Sequence, residues 1–173
     1  GPAPGRRLFL LCAAVAQAFA GASASASAGA GGIIKVDTST GLFVDSYGRA
    51  RFFHGVNAVE KVAPFLPAHG PNVPFDVHRS LNADDMRFLR DELGFNLVRL
   101  GVLWNAAMPE KGPSNQGVLN ASYLADARAL VDELDAAGLY TIVDAHQDTL
   151  APSMCGEGMP EWAVQLALQT QVW

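Results

Sequence analysis

The chain predicts an α/β fold: about three β/α units from the start of a (β/α)8 TIM barrel, preceded by a short β-hairpin. Three observations carry this. Strand-like and helix-like patterns alternate along the chain. An amphipathic helix closed by glycine and followed by an apolar run occurs twice, first with Met86, Leu89, Leu93 and Gly94 before residues 95–100, then with Leu124, Ala127, Val131, Leu134 and Gly138 before residues 139–143. Both apolar runs are nearly continuous, as expected of strands covered on both faces in a parallel sheet.

Taken in order, residues 1–30 read as a targeting segment and a linker. Arg6 and Arg7 precede the apolar run from Leu8 to Ala20, which ends in Ala18-Phe19-Ala20, an A-x-A-like cleavage site. The run is shorter than the roughly 20 apolar residues a membrane-spanning helix needs. The following GASASASAGAGG has nothing to pack. The expectation is a secreted protein, or one in a lysosomal or other endomembrane lumen, whose folded part spans residues 31–173. Cys12 leaves with the signal, so Cys155 expects a partner elsewhere. Asn120-Ala121-Ser122 is a glycosylation sequon and also a helix cap.

Residues 33–36 and 42–44 are short β-like runs around the turn-rich DTSTG, and Ser46-Tyr47-Gly48-Arg49 makes a second turn. Residues 51–57 read as a strand with a polar end, followed by a proline-rich loop over residues 63–74. Asn82 with Asp84 and Asp85 opens the first helix, and a last helix begins near Pro160. An open doubly wound sheet is the competing architecture. No Gly-x-Gly-x-x-Gly or P-loop follows any strand, so its nucleotide-binding form is disfavoured. Three strands do not close a barrel, which takes eight, so the expectation is the first part of a larger domain.

At a net charge of −5 and a pI near 5.2, no basic face for nucleic acid is expected. In a barrel the chemistry sits where strands end, and those ends carry Asn57, Arg99 and the run Asp144 to Asp148. His146 and Asp148, two apart, can point the same way to bond sugar hydroxyls, hold a metal or move protons; alternatively the histidine is structural. One histidine with two acids is a weak metal signal. Arg99 either orients a catalytic acid or pairs with a structural carboxylate. Asn57 offers an amide to the same centre or merely ends its strand. Trp104 is suited to stacking on a sugar or an acyl chain, although core or lid duty is commoner. Lys61 is a lone charge of the kind usually only solvated. The glycines flanking Glu157 suggest unusual backbone angles rather than a catalytic mount.

Three stretches, GRARFFHGVNAVEK, GFNLVRLGVLWNAAMPEKG and above all DAHQDTLAPSMCGEGMPEW, resemble the endoglycoceramidases of glycoside hydrolase family 5, and the resemblance runs from Ile33 to Trp173. It implies a retaining hydrolase that cuts the β-glycosidic bond between oligosaccharide and ceramide of a glycosphingolipid. It also implies contact with a membrane or micelle surface and neither a metal nor an organic cofactor. By position it makes Arg99 the arginine supporting the catalytic centre, and His146 and Asp148 contacts of the sugar beside the scissile bond. Lys61 becomes a glycan-contacting lysine. Retaining hydrolysis needs two carboxyl groups about 5 Å apart. The family places them as glutamates on the fourth and seventh strands, the first within Asn-Glu-Pro. No Asn-Glu-Pro occurs in these 173 residues, so the catalytic pair is expected beyond Trp173, and neither Glu157 nor Glu161 takes its place. A cellulase-like β-glycanase and a non-catalytic glycolipid-binding product are the competing readings.

Overall fold

A computed structural model describes residues 33–170. The expected signal and linker, and Cys12 with them, lie outside the described residues. The described residues open with β1 (Lys35–Val36) and β2 (Phe43–Val44), paired antiparallel. Asp37 makes the turn: its carboxylate accepts hydrogen bonds from the Ser39 amide and hydroxyl and from the Thr40 hydroxyl, and Gly41 takes φ +72°. A second turn closes on buried Asp45, which accepts from the amides of Tyr47 and Arg49 and from the Arg49 guanidinium.

The strand expected over residues 51–57 is shorter than its composition suggests. Ala50 still bridges Val44, and the Arg51 amide donates to the Phe43 carbonyl, so these residues spend their hydrogen bonds on the hairpin. The sheet strand is β3 (Gly55–Ala58). It pairs parallel with β4 (Leu97–Leu103), which pairs parallel with the strand over Tyr140–His146 in the order first, second, third. At Gly55 a Cβ would overlap the Leu97 carbonyl oxygen, so only glycine admits this approach. Phe53 links hairpin to sheet, meeting Phe43 and Tyr140 edge-on at 5.4 Å each. Asn96 adds a clamp, accepting from the His54 amide and donating to the Phe52 carbonyl.

Helix α1 (Ala83–Arg87) starts with the expected cap: Asn82 accepts from the amides of Asp84 and Asp85, and Asp85 accepts from the Asn82 amide in return. It continues as a π-helical turn over Phe88–Glu92. The extra residue per turn rotates the remainder of the helix, so Met86 is 2% exposed while Leu93, expected on the same face, is 46% exposed.

After β4 come a one-turn helix α2 (Trp104–Ala107) and a small antiparallel pair, β5 (Glu110–Lys111) with β6 (Gly117–Val118), none of which was expected from the pattern. Helix α3 (Ala121–Ala136) is capped by Asn120, which accepts from the Tyr123 amide. It buries Leu124, Ala127, Leu130 and Leu134 against Val98, Leu100 and Val102 of β4. Gly138, at φ +79°, then turns the chain into β7 (Tyr140–His146). The described residues close with a 3-10 turn (Pro152–Met154) and helix α4 (Glu161–Thr170), where the last helix was expected. Leu130 has no solvent exposure, so Leu130→Ala is expected to cost about 2–5 kcal/mol of unfolding free energy, read by urea denaturation.

The proline-rich loop is pinned onto α3 rather than hanging free. Leu66 and Leu81 enter the core, and the Tyr123 hydroxyl donates to the Phe65 carbonyl. Burial pushes the Tyr123 phenol up to about 12. His69, with 8% side-chain exposure, sits between Asp126 and Glu133, 3.3 and 3.1 Å from their carboxylate oxygens. Among the described residues the three-stranded sheet is open and not closed into a barrel.

Candidate functional site

Side chains alternate across a strand, and residues opposite each other in a parallel register share a face. Asn57 lies opposite Arg99, Gly101 opposite Asp144, and Leu103 opposite His146. Asn57, Arg99, Asp144 and His146 therefore share one face of the sheet, while Val98, Leu100 and Val102 turn to the helices. Gly101 has no side chain to intrude, and a Cβ there would come 2.9 Å from the Val59 methyls. Arg99 meets Asp144 diagonally, two residues along β7 from its register partner Ile142.

Two strand ends differ from the expectation. β4 runs on to Leu103, so Arg99 is its third residue and not its end; the apolar Gly101-Val102-Leu103 carries the pairing further. β7 likewise runs through Asp144 to His146, so His146 stands on the strand and only Asp148 lies past it.

The Arg99 Nη2 atom is 2.7 Å from Asp144 Oδ2, and its Nη1 donates to Asn57 Oδ1 at 3.4 Å. The same Asp144 oxygen is 3.0 Å from His146 Nδ1. The other imidazole nitrogen, Nε2, is 3.2 Å from Asp148 Oδ2, which accepts from Lys61 Nζ at 2.7 Å. Lys61 also forms an ion pair with Glu157, whose carboxylate is 3.9 Å from His146 Nε2. All five predicted residues, Asn57, Lys61, Arg99, His146 and Asp148, thus join one chain of contacts. Lys61 is held by two carboxylates and is not merely solvated. Asp144 is the acid beneath the arginine.

Exposure is lowest at the His146 side chain, 10%, and at Glu157, 15%, and highest at Lys61, 51%, and Asp148, 52%. His146 and Glu157 are thus shielded, while Lys61 and Asp148 face solvent. The Lys61 ammonium, hydrogen-bonded to it, holds the Asp148 carboxyl below its ordinary 3.8. Asp148, then Glu157, raise Lys61 above its ordinary 10.5. Asp148's contribution is present above its unfolded value and is lost as pH falls through the lower folded one. Lys61's contribution is full below its unfolded value and is lost as pH rises through the higher folded one. The pair therefore stays charged across the whole neutral range.

The loop after β7 explains its glycines. Asp148 and Glu157 exchange backbone hydrogen bonds of 3.1 and 2.8 Å. A Cβ on Gly156 would overlap the Asp148 carbonyl oxygen, and one on Gly158 would lie 2.8 Å from Gln147. At Gly158, with φ +116°, unusual backbone angle and close packing act together; at Gly156 close packing decides. The Gly158 carbonyl also accepts from the Asn105 amide at 2.7 Å. Behind the loop Trp104 meets Trp162 edge-on at 6.0 Å, and Trp162 donates to the Met108 carbonyl. Glu161 stands apart, binding Gln165. Cys155 is exposed.

Ligand atoms of His146, Asp148 and Glu157 lie within 4.8 Å of one another, a spacing open to a metal ion. Lys61 already brings a cation to both carboxylates, so a metal would have to displace it. What the cluster offers as it stands is a set of donors and acceptors at the C-terminal ends of parallel strands, the face on which (β/α)8 barrels carry their sites. Glu157 and Asp144 were the residues undervalued from sequence. The i, i+2 spacing of Asp144, His146 and Asp148 was the signal for one, and glycine on both sides the signal for the other.

Residues 59–170 match the profile described as Cellulase (glycosyl hydrolase family 5). The chain is 38% identical over 132 residues to the Endoglycoceramidase of Cyanea nozakii, covering 76% of this chain and 24% of that protein. It is 38% identical over 122 residues to Endoglycoceramidase I of Rhodococcus hoagii (strain 103S), covering 70% and 22%. The chain thus spans about a quarter of the length of these relatives. Among solved structures it is similar to an endogalactoceramidase, with a TM-score of 0.55 and 26% identity over 75% of this chain and 29% of that one. Endo-glycoceramidase II from Rhodococcus sp., at TM-score 0.52 and 23% identity over 68% and 24%, shares the fold. With the parallel sheet, the profile match and these relatives together, the chain belongs to glycosyl hydrolase family 5, as the opening part of its barrel.

Proposed function

We propose that the protein of which these residues form part is a secreted or lumenal retaining glycosidase that releases oligosaccharide from ceramide in glycosphingolipids. The observation that carries this is the Lys61–Asp148–His146 cluster at the strand ends, set within the DAHQDTLAPSMCGEGMPEW stretch. Lys61 and Asp148 supply donors and acceptors at the exposed edge to hold sugar hydroxyls. Asn57, Arg99 and Asp144 brace His146 from beneath. Endoglycoceramidases among the relatives favour a glycolipid substrate, and such a substrate brings the enzyme to a membrane or micelle surface.

The 173 residues alone hold no Asn-Glu-Pro and present an open three-stranded sheet, so they are expected to be inactive and prone to aggregate through unpaired strand edges. The test is to express the complete gene product beside residues 33–173 and offer each a labelled glycosphingolipid and a soluble β-glucan. Release of intact oligosaccharide by the complete product alone is expected. Turnover of glucan but not glycolipid would favour a cellulase-like enzyme. Turnover by residues 33–173 would overturn their expected inactivity. N-terminal sequencing of secreted material tests the leader, with cleavage expected after Ala20.

A further inference from the structure

Glu157 carries a feature that the proposed sugar contacts do not account for. Its side chain is 15% exposed, its Oε1 has essentially no contact with solvent, and it comes from a different segment than either group it meets. A carboxylate shielded from water is costly unless a cation compensates it. Lys61 is that cation.

Lys61 is otherwise poorly constrained. It sits on the loop after β3, half exposed, at the end of a long flexible side chain. Asp148 by itself is a weak tether, because it too is half exposed and its ion pair is open to water. Glu157 is placed to be the firm anchor. Its backbone is bonded to Asp148 in both directions, and the glycines on either side let it press against the end of β7 where no other residue fits. Asp148 accepts a hydrogen bond from the ammonium, and Glu157 pairs with it as an ion from the buried side.

We infer that Glu157 is a positioning residue, holding the Lys61 ammonium against Asp148 so that both meet sugar hydroxyls in a fixed direction. This rests on the glycosidase reading for the sugar, but not for the contact between Glu157 and Lys61. Glu157 itself is not a reacting group. A divalent cation bound by His146, Asp148 and Glu157 is the competing arrangement, and it requires Lys61 to be released.

Two measurements on the complete gene product separate these points. The first needs no substrate: acylation of lysines by an N-hydroxysuccinimide ester, followed by peptide mass spectrometry. Lys61 is expected to label more slowly than the exposed Lys35 and Lys111. In Glu157→Gln its rate is expected to rise severalfold, because the ammonium loses one of the two carboxylates that hold it. Equal labelling of Lys61 in parent and variant overturns the inference, whatever the enzyme acts on. So does protection of Lys61 that vanishes only when a divalent cation is added.

The second is kinetic, on a glycosphingolipid. Glu157→Gln is expected to raise KM on the order of tenfold, more than it lowers kcat, and to add nothing further in a Lys61→Met background. Equal penalties in both backgrounds would make Glu157 structural and overturn its role through Lys61. If Glu157→Gln does not fold, Glu157→Asp keeps the charge on a shorter arm and enters the same cycle with the same expected coupling. A parent that shows the labelling effect but no glycolipid turnover overturns the functional reading and leaves the Glu157–Lys61 clamp standing.

Discussion

Arg99→Ala is expected to lower kcat/KM on a glycosphingolipid by about two to three orders of magnitude in the complete gene product. The reason is a relay of contacts. Arg99 is held by β4 between Val98 and Leu100, both without solvent exposure, so its backbone has little freedom. Its guanidinium joins Asn57 of β3 to Asp144 of β7, and Asp144 in turn meets His146. Without the arginine, Asp144 loses its strong partner, and the imidazole loses the fixed oxygen that orients it. Displacement of about 1 Å in such a group is enough for a hundredfold loss. The stability cost is expected to be smaller, about 1–2 kcal/mol, because Arg99 and Asp144 side chains are 40% and 23% exposed and water screens the pair. Arg99→Lys is not expected to rescue, since a point charge does not span both partners as the planar fork does. Steady-state kinetics beside urea unfolding decide the matter. Normal kinetics with a lower unfolding free energy would assign Arg99 a structural role only.

Asp148→Ala is expected to have the opposite balance, with catalysis hit hard and folding hardly touched. Its carboxylate meets both His146 and Lys61, and the charged hydrogen bonds it can offer a sugar hydroxyl disappear with it. A loss in kcat/KM on the order of a hundredfold is expected. The thermal midpoint is expected to stay within a few degrees of the parent, because an ion pair this exposed contributes little to folding. The pH dependence is set by the same pair. With Asp148 held low and Lys61 held high, neither changes charge between about pH 5 and pH 9, so no limb of the parent's KM profile in that window arises from them. A KM limb in that window that vanished in Asp148→Ala would contradict this assignment, and unchanged kinetics would make Asp148 merely structural.

Much of the fold was legible because it is written in local chemistry. The cap at Asn82, the turn at Asp37 and the glycine stop at Gly138 each depend on a few neighbouring residues, and each was found where its composition placed it. The two apolar strands were recognised by continuous hydrophobicity, although both proved longer than their apolar runs. Pairing with a neighbour carried β7 through Asp144 and His146, past the apolar run over residues 139–143. The π-helical turn over Phe88–Glu92 was invisible, since its hydrophobic spacing resembles that of an α-helix until the register slips. Short elements such as β5 and β6 were missed because two residues hold too little pattern.

The site divides along the same physical line. Residue types and spacing were enough to select Asn57, Lys61, Arg99, His146 and Asp148, because polar groups at the ends of apolar strands stand out one strand at a time. Their partners were not accessible in that way. That Arg99 bonds Asp144 follows from the register between β4 and β7. That Lys61 lies between Asp148 and Glu157 brings together positions 87 residues apart in one case, which only chain closure can do. Local composition names the groups able to do chemistry, since it records which atoms each segment carries. Which charges neutralise one another is decided by distances across segments, and those exist only once the sheet and its loops have packed.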